Sequence, residues 1–213
     1  MGRGCFISVE GIEGAGKSTQ LKFIQQLLES AGKAVTVTRE PGGTPLGEQI
    51  RTLLLTPRLE GMSAETELLL MFAARVEHVR QVISPALARG RWVLCDRFTG
   101  ASYAYQGGGR GLPLARIEAL EHWALNHLRP DLTLLLDVPV GVGLQRAASR
   151  RQQPDRFEQE QAGFFECVRK AYLSLAKERV DEFRLIDASM PLPEVQEAIQ
   201  QVIMAFIEAN QGA

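Results

Sequence analysis

Short apolar runs recur along the chain, and longer stretches with apolar residues at helical spacing separate them. CFISVE (residues 5–10), AVTVTRE (34–40), RWVLCDR (91–97), LTLLLDV (132–138) and FRLID (183–187) read as strands. After the first, STQLKFIQQLLES (18–30) places Leu21, Ile24, Leu27 and Leu28 on one face of a helix. A PGGTP turn precedes a short helix over 46–55. A long helical pattern then covers about 63–88, opened by Ser63 with Thr66 where a capping box has Glu or Gln, and bent at Pro85. Near-continuous apolar strands separated by helices are what a parallel sheet covered on both faces produces in sequence. The expected fold is therefore α/β, a doubly wound, five-stranded parallel sheet. Ligands of such sheets bind beyond the carboxyl ends of the strands, where Glu10, Arg39, Glu40, Asp96, Arg97, Asp137 and Asp187 gather. No repeat, low-complexity segment or long linker interrupts the pattern, so residues 1–213 are expected to form one domain.

The first strand and helix flank EGIEGAGKST, which fits G-x-x-x-x-G-K-[ST] at every fixed position. Glycines at Gly11, Gly14 and Gly16 allow backbone conformations in which successive N–H groups turn inward around phosphate oxygens, at the start of a helix. The expected nucleotide cradle is Gly11, Ile12, Glu13, Gly14, Ala15, Gly16, Lys17, Ser18 and Thr19. Lys17 is expected to project free in the empty loop and to reach the β- and γ-phosphates of ATP, and the Ser18 hydroxyl to ligate Mg²⁺. Together with the strand and helix around it, the motif implies a P-loop NTPase fold.

Composition narrows the partners. With 24 basic and 25 acidic residues the net charge is −1, so a one-sided field suited to nucleic acid or a membrane surface is not expected. Most of the basic residues are arginine, which favours bidentate grip on phosphates. Cys5, Cys95 and Cys167 are widely separated, with neither zinc-ligand nor disulfide spacing. The longest apolar runs, such as ELLLMFAA, are too short to span a bilayer, and a cytoplasmic protein is expected.

A phosphate loop alone serves switches, motors and small-molecule kinases. A guanine-reading Asn-Lys-x-Asp element and a strand-end D-x-x-G are missing, as is the Leu-Ser-Gly-Gly-Gln stretch of transporter ATPases. A kinase acting on a phosphorylated acceptor needs a second anion site facing the loop, and the arginines after the second and third strands could build one. No base is then needed, because the acceptor is already an ionised phosphate oxygen. His78, His122 and His127, in helical stretches, are expected to be structural. A regulator that kept the fold would be expected to have lost Lys17, Asp96 or Arg97, and all are present. Another deoxynucleoside monophosphate kinase, or a shikimate-type kinase, is the alternative enzyme.

FISVEGIEGAGKSTQ, TREPGGTPLGEQIR, MFAARVEH, CDRFTGASYAYQGGGRG and DRFEQE occur in this order, and with them almost the whole chain resembles thymidylate kinase of the bacterial type. The resemblance implies transfer of the γ-phosphoryl of ATP to dTMP, giving dTDP and ADP. It implies that Arg97 bridges donor and acceptor phosphates, that Asp96 holds Mg²⁺ through water, and that Arg39 and Arg51 hold the acceptor phosphate. Glu13 would lie near the sugar 3′-hydroxyl, an odd place for a carboxylate unless a hydroxyl or metal offsets it. Arg75 would donate to the base O4, Gln106 complete base recognition, Ser102 contact the base edge, and Tyr105 crowd the 2′ position.

Two departures stand out. The family's stacking phenylalanine lies four residues before the arginine, where this chain has Met71. Phe72 lies three before and is taken for the stacking role, since i,i+3 and i,i+4 share a helix face. Some relatives carry an arginine in the loop where this chain has Gly14. Others carry it in a lid, and QRAASRRQQPDRFE supplies Arg146, Arg150, Arg151 and Arg156 in a polar segment read as a lid over about 146–158. Arg150 or Arg151 is expected to serve the transferring phosphoryl, with Arg146 and Arg156 in support. Finally, ELLLMFAA is apolar on nearly all sides and needs a second burial surface, which, as the resemblance also implies, a homodimer would supply.

Overall fold

The computed structural model describes residues 3–57, 61–149 and 155–210. Strands β1 (Phe6–Glu10), β2 (Val35–Arg39), β3 (Trp92–Asp96), β4 (Leu132–Asp137) and β5 (Phe183–Asp187) form one all-parallel sheet in the order β2-β3-β1-β4-β5. This is the doubly wound α/β architecture of a P-loop NTPase. Burial follows the order: β1 is buried throughout, β3 and β4 at all but their last residue, and the edge strands β2 and β5 only in part. Every strand ends on a charged residue, Glu10, Arg39, Asp96, Asp137 or Asp187. The chain leaves β1 toward one side of the sheet and leaves β3 toward the other. The switch point therefore opens beyond the carboxyl ends of β1 and β3.

The helices are α1 (Lys17–Ser30), α2 (Pro45–Leu55), α3 (Ala64–His78), α4 (Ser84–Ala88), α5 (Thr99–Ser102), α6 (Leu114–Leu125), α7 (Val140–Ala148), α8 (Ala162–Glu178) and α9 (Leu192–Ala209). Leu21, Ile24 and Leu28 of α1 are buried and Leu27 packs at the edge of the core. Ser63 caps α3, its Oγ accepting the Thr66 N–H at 3.2 Å and donating to Thr66 Oγ1 at 2.9 Å. The long helical pattern over 63–88 divides into α3, a π-helical turn at Val79–Ile83, and α4. Pro85 has no N–H to give, and the register widens in the turn just before it. A second π-helical turn, Tyr103–Gly109, follows α5 and packs against α8. Its glycines permit that approach, since a Cβ on Gly108 would stand 2.5 Å from Ala171 Cβ. His127 is not helical as the sequence suggested: α6 ends at Leu125, and Asn126 and His127 turn the chain with φ of 48° and 65°.

One glycine contact joins the phosphate loop to α7. Gly14 has φ +73°, and a Cβ there would stand 1.9 Å from the Gly143 carbonyl oxygen; a Cβ on Gly143 would stand 2.7 Å from the Glu13 carbonyl oxygen. Backbone lies on backbone, so neither position accepts a side chain unless α7 moves. The loop arginine that the resemblance allows at this position is thus sterically excluded here. Gly14→Ala is expected to destabilise the protein by more than about 2 kcal/mol. The control is Gly16→Ala, where φ is also positive at +91° but a Cβ meets nothing within 4 Å. Thermal melting followed by circular dichroism should show the larger drop for Gly14→Ala, and equal drops would mean that backbone conformation alone sets the cost.

Candidate active site

A cleft, open at its mouth, lies at the switch point. Of the residues singled out in the sequence, Glu13, Gly14, Gly16, Lys17, Ser18, Arg39, Arg51, Arg75, Asp96, Arg97, Ser102, Tyr105 and Gln106 line it. Gly11, Ile12, Ala15, Thr19, Phe72, Arg146 and Arg156 do not, Arg156 pairing instead with Glu67 and the Leu54 carbonyl. Ile12 and Ala15 are core residues, and Arg146 donates to the Ala188 carbonyl at 2.8 Å, just past β5. Arg150 and Arg151 lie outside the described residues.

The loop does not hold Lys17 free, contrary to expectation. Its Nζ donates to the carbonyls of Gly11 and Ile12, each at 3.0 Å. Burial, and then the charge of Arg97, lower its pKa to about 8. Arg97, at φ 69°, is the second cation on the same carbonyl, donating from Nη1 to Gly11 O at 2.9 Å. Its other nitrogen, Nη2, donates to Glu13 Oε1 at 2.9 Å, while the Tyr105 hydroxyl donates to Glu13 Oε2 at 2.6 Å. The carboxylate inside a phosphate loop is therefore balanced by a guanidinium and a phenol. Burial holds the Tyr105 phenol well above its ordinary pKa, so it remains a donor.

Behind the loop sits a carboxyl group to which the sequence assigned no role. Glu10 is fully buried and accepts the Phe98 N–H at 2.7 Å and the Tyr172 hydroxyl at 2.8 Å. Tyr172 in turn accepts from Arg97 Nη1 at 3.2 Å. Burial raises Glu10 to about 7, opposed chiefly by the Arg97 charge. Nothing local signals Tyr172, which is 162 residues from Glu10. Asp96, beside Arg97, has a buried Oδ1 without a hydrogen-bond partner.

On the facing wall, Arg39 makes a two-pronged ion pair with Glu48 at 2.8 and 2.9 Å, and Arg51 donates to the Pro41 carbonyl at 2.8 Å. Burial, and then the Arg39 charge, push the Arg51 pKa below the ordinary arginine range. Two like charges share a wall that an anion would relieve. Deeper in, Arg75 is nearly inaccessible and donates to Glu40 Oε2 at 2.6 Å, Ser102 Oγ at 3.0 Å and the Phe98 carbonyl at 3.0 Å. His78 Nδ1 lies 3.0 Å from the other Glu40 oxygen, a structural role. Phe72 sits beneath the Arg75 guanidinium, its ring centroid 4.8 Å away, within the core, and Met71 takes the place on the cleft wall. Asp155, Phe157 and Glu158 also line the cleft.

Residues 9–199 match the family model described as Thymidylate kinase. Curated relatives named thymidylate kinase include one from Pseudomonas entomophila (strain L48), 56% identical over 98% of this chain and 99% of the relative. Another, from Alkalilimnicola ehrlichii (strain ATCC BAA-1101 / DSM 17681 / MLHE-1), is 56% identical over 97% of this chain and 95% of the relative.

The lowered Lys17 pKa sets a pH dependence for phosphate binding. The free loop loses the Lys17 proton as pH rises through about 8, whereas a bound polyphosphate favours the charged form. ADP affinity, measured calorimetrically, should weaken above pH 8 by up to about tenfold per pH unit, with proton uptake on binding. Lys17→Met should bind weakly and lose that slope. Retention of the slope would assign it to another group.

Proposed function

The chain belongs to the thymidylate kinase family, and from that premise we propose that it transfers the γ-phosphoryl of ATP to dTMP, giving dTDP and ADP. The observation that carries this reading is a single cleft lined on one side by a phosphate loop with Lys17, Ser18, Asp96 and Arg97, and on the other by Arg39 and Arg51. Two anion sites facing one another suit transfer between two phosphates. The reaction then needs alignment and charge neutralisation, and no general base. Arg97 stands between the loop carbonyl of Gly11 and Glu13 and would bridge the two phosphates. Lys17 would exchange its two carbonyl partners for phosphate oxygens, and Arg146 would lie at the donor-nucleotide side.

The unpartnered Asp96 Oδ1 and the Ser18 hydroxyl at the start of α1 fit a hard cation that arrives with the nucleotide. Among the described residues no cluster of three or more His, Cys, Asp or Glu could hold a metal alone. Mg²⁺, when bound, would neutralise charge on the transferred group. Arg150 or Arg151 would add to that neutralisation, a role the Gly14 position has no room for.

For the acceptor, Arg39 and Arg51 would hold the phosphate, Glu13 the 3′-hydroxyl, and Tyr105 would crowd the 2′ position. Arg75 has two of its five N–H groups left after Glu40, Ser102 and Phe98 take three, and these would read the base O4 beside Ser102 and Gln106. Met71 would supply the apolar wall, with Phe72 supporting from beneath. The whole chain would act as one catalytic domain with residues of about 146–158 as its lid. Its three free thiols suit a reducing cytoplasm. Among the described residues no helix is long and apolar enough to cross a membrane.

A second copy of the chain would cover the outer face of α3 and α6. These helices pack side by side and leave Leu69 58%, Leu114 51% and Trp123 80% exposed. The expected state in solution is a dimer by light scattering at micromolar concentration, and Trp123→Glu should convert it to monomer. A monomeric wild type would refute the dimer.

The acceptor reading is tested by kcat/KM for each monophosphate at saturating Mg-ATP. dTMP should be used best and dUMP less well for want of the methyl contact. dCMP should fall about one to two orders of magnitude below dTMP, because its N4 donor opposes Arg75 in a dry pocket. Purine monophosphates should be poor on size. Preference for a purine, or for shikimate, would overturn the dTMP assignment.

A further inference from the structure

Glu67 is the first acidic residue of an otherwise apolar stretch, and it is 0% exposed. Three donors converge on it from distant parts of the chain. Gln106 Nε2 donates to its Oε1 at 2.8 Å, Arg110 approaches at 3.2 Å, and Arg156, from the lid segment, at 2.6 Å. Of these three, Gln106 alone lines the acceptor cleft.

We propose that Glu67 is a specificity-determining positioning residue: it fixes the amide of Gln106 so that the carbonyl oxygen, not the NH₂, is presented to the base. The inference rests on the dTMP reading above. A carboxylate paired with two guanidiniums offers only acceptors, so the amide nitrogen of Gln106 must face it. The planar amide then turns its oxygen the other way. A flipped amide would set its carbonyl against the carboxylate and leave both unsatisfied in a buried site. The base site consequently displays an acceptor, which matches a pyrimidine carrying hydrogen on N3, as thymine and uracil do. Cytosine has a lone pair there, and the two acceptors repel. Arg75 reads O4 with donors, and Gln106, set by Glu67, reads N3–H with an acceptor, so two independent contacts reject cytosine. Because Arg156 grips the same carboxylate, the lid segment is tied to the residue that orients the base reader.

The test is the ratio of kcat/KM for dTMP to that for dCMP. In Glu67→Gln the partner can itself present oxygen or nitrogen, the Gln106 amide loses its preferred orientation, and the ratio should fall about tenfold or more. The reciprocal exchange, Glu67→Gln with Gln106→Glu, should restore it, since a carboxylate at 106 still shows an acceptor to the base and receives the amide at 67. Arg156→Met, which removes a lid contact but leaves the Gln106 bond, should keep the ratio within about twofold of wild type. A Glu67 that merely staples Arg110 and Arg156 predicts lower melting temperatures with every ratio unchanged, and that result would overturn the proposal. If Glu67→Gln does not fold, the exchanged pair decides, because it keeps a negative charge near the two arginines; a collapsed ratio in that folded variant refutes the role. A wild type that prefers a purine or a non-nucleotide acceptor would instead overturn the functional reading, and this inference with it.

Discussion

Positive side chains crowded into one cleft repel one another, and in this protein most of them are held in place by a carboxylate at their backs. Arg97 leans on Glu13, Arg39 on Glu48 and Arg75 on Glu40, and just outside the cleft Arg110 and Arg156 lean on Glu67. Glu10 sits behind the phosphate loop and reaches Arg97 through the Tyr172 hydroxyl. An unpaired charge as deeply buried as Arg75 would cost several kcal/mol, so the acids decide which guanidiniums the deep part of the cleft can contain, while the Arg39–Glu48 pair is about half exposed and carries no such penalty. They also determine orientation. A guanidinium whose rear nitrogens are fixed presents its remaining N–H groups in one direction, and the cleft keeps that shape before any phosphate arrives.

Legibility in the sequence followed the range of the interactions. The phosphate loop is a local device: strand, glycines and helix start lie within about 25 residues, and the motif marked Lys17 and Ser18 correctly as cleft residues. The strands were readable for the same reason, because burial on both faces leaves a continuous apolar run in β1, β3 and β4. Of the acids behind the cations, Glu10, Glu13 and Glu40 were marked by their places at strand ends and in the loop, but their partners were not. Glu10 meets Tyr172 across 162 residues and Glu67 meets Arg110 across 43, separations at which no periodicity or spacing rule operates. For Glu67 the one available signal was its place as a charge at the head of an apolar helical run.

The side chains that sequence reasoning put in slightly different places illustrate a second limit. Met71 and Phe72 share a helical stretch and either could face a ligand by spacing alone. The choice depends on which one Arg75 stacks upon, and Phe72, with the guanidinium 4.8 Å from its ring centroid, is committed to the core. Lys17 was expected to stand free because the motif describes a loop with phosphate in it. In its own company the lysine turns to the nearest acceptors, the carbonyls of Gly11 and Ile12, since a buried ammonium without partners is costly.

The glycine contact between the loop and α7 connects these themes. Gly14 on Gly143 brings backbone against backbone, so α7 is seated directly on the phosphate loop. From residue 155 onward the chain is held elsewhere: Arg156 donates to the Leu54 carbonyl and pairs with Glu67, and Phe157 stacks edge-on with Tyr105 at 5.7 Å. Any movement of α7 is felt at the loop through contacts with no side chain to cushion them, whereas Gln106 keeps its own bond to the other Glu67 oxygen whether or not Arg156 holds that carboxylate.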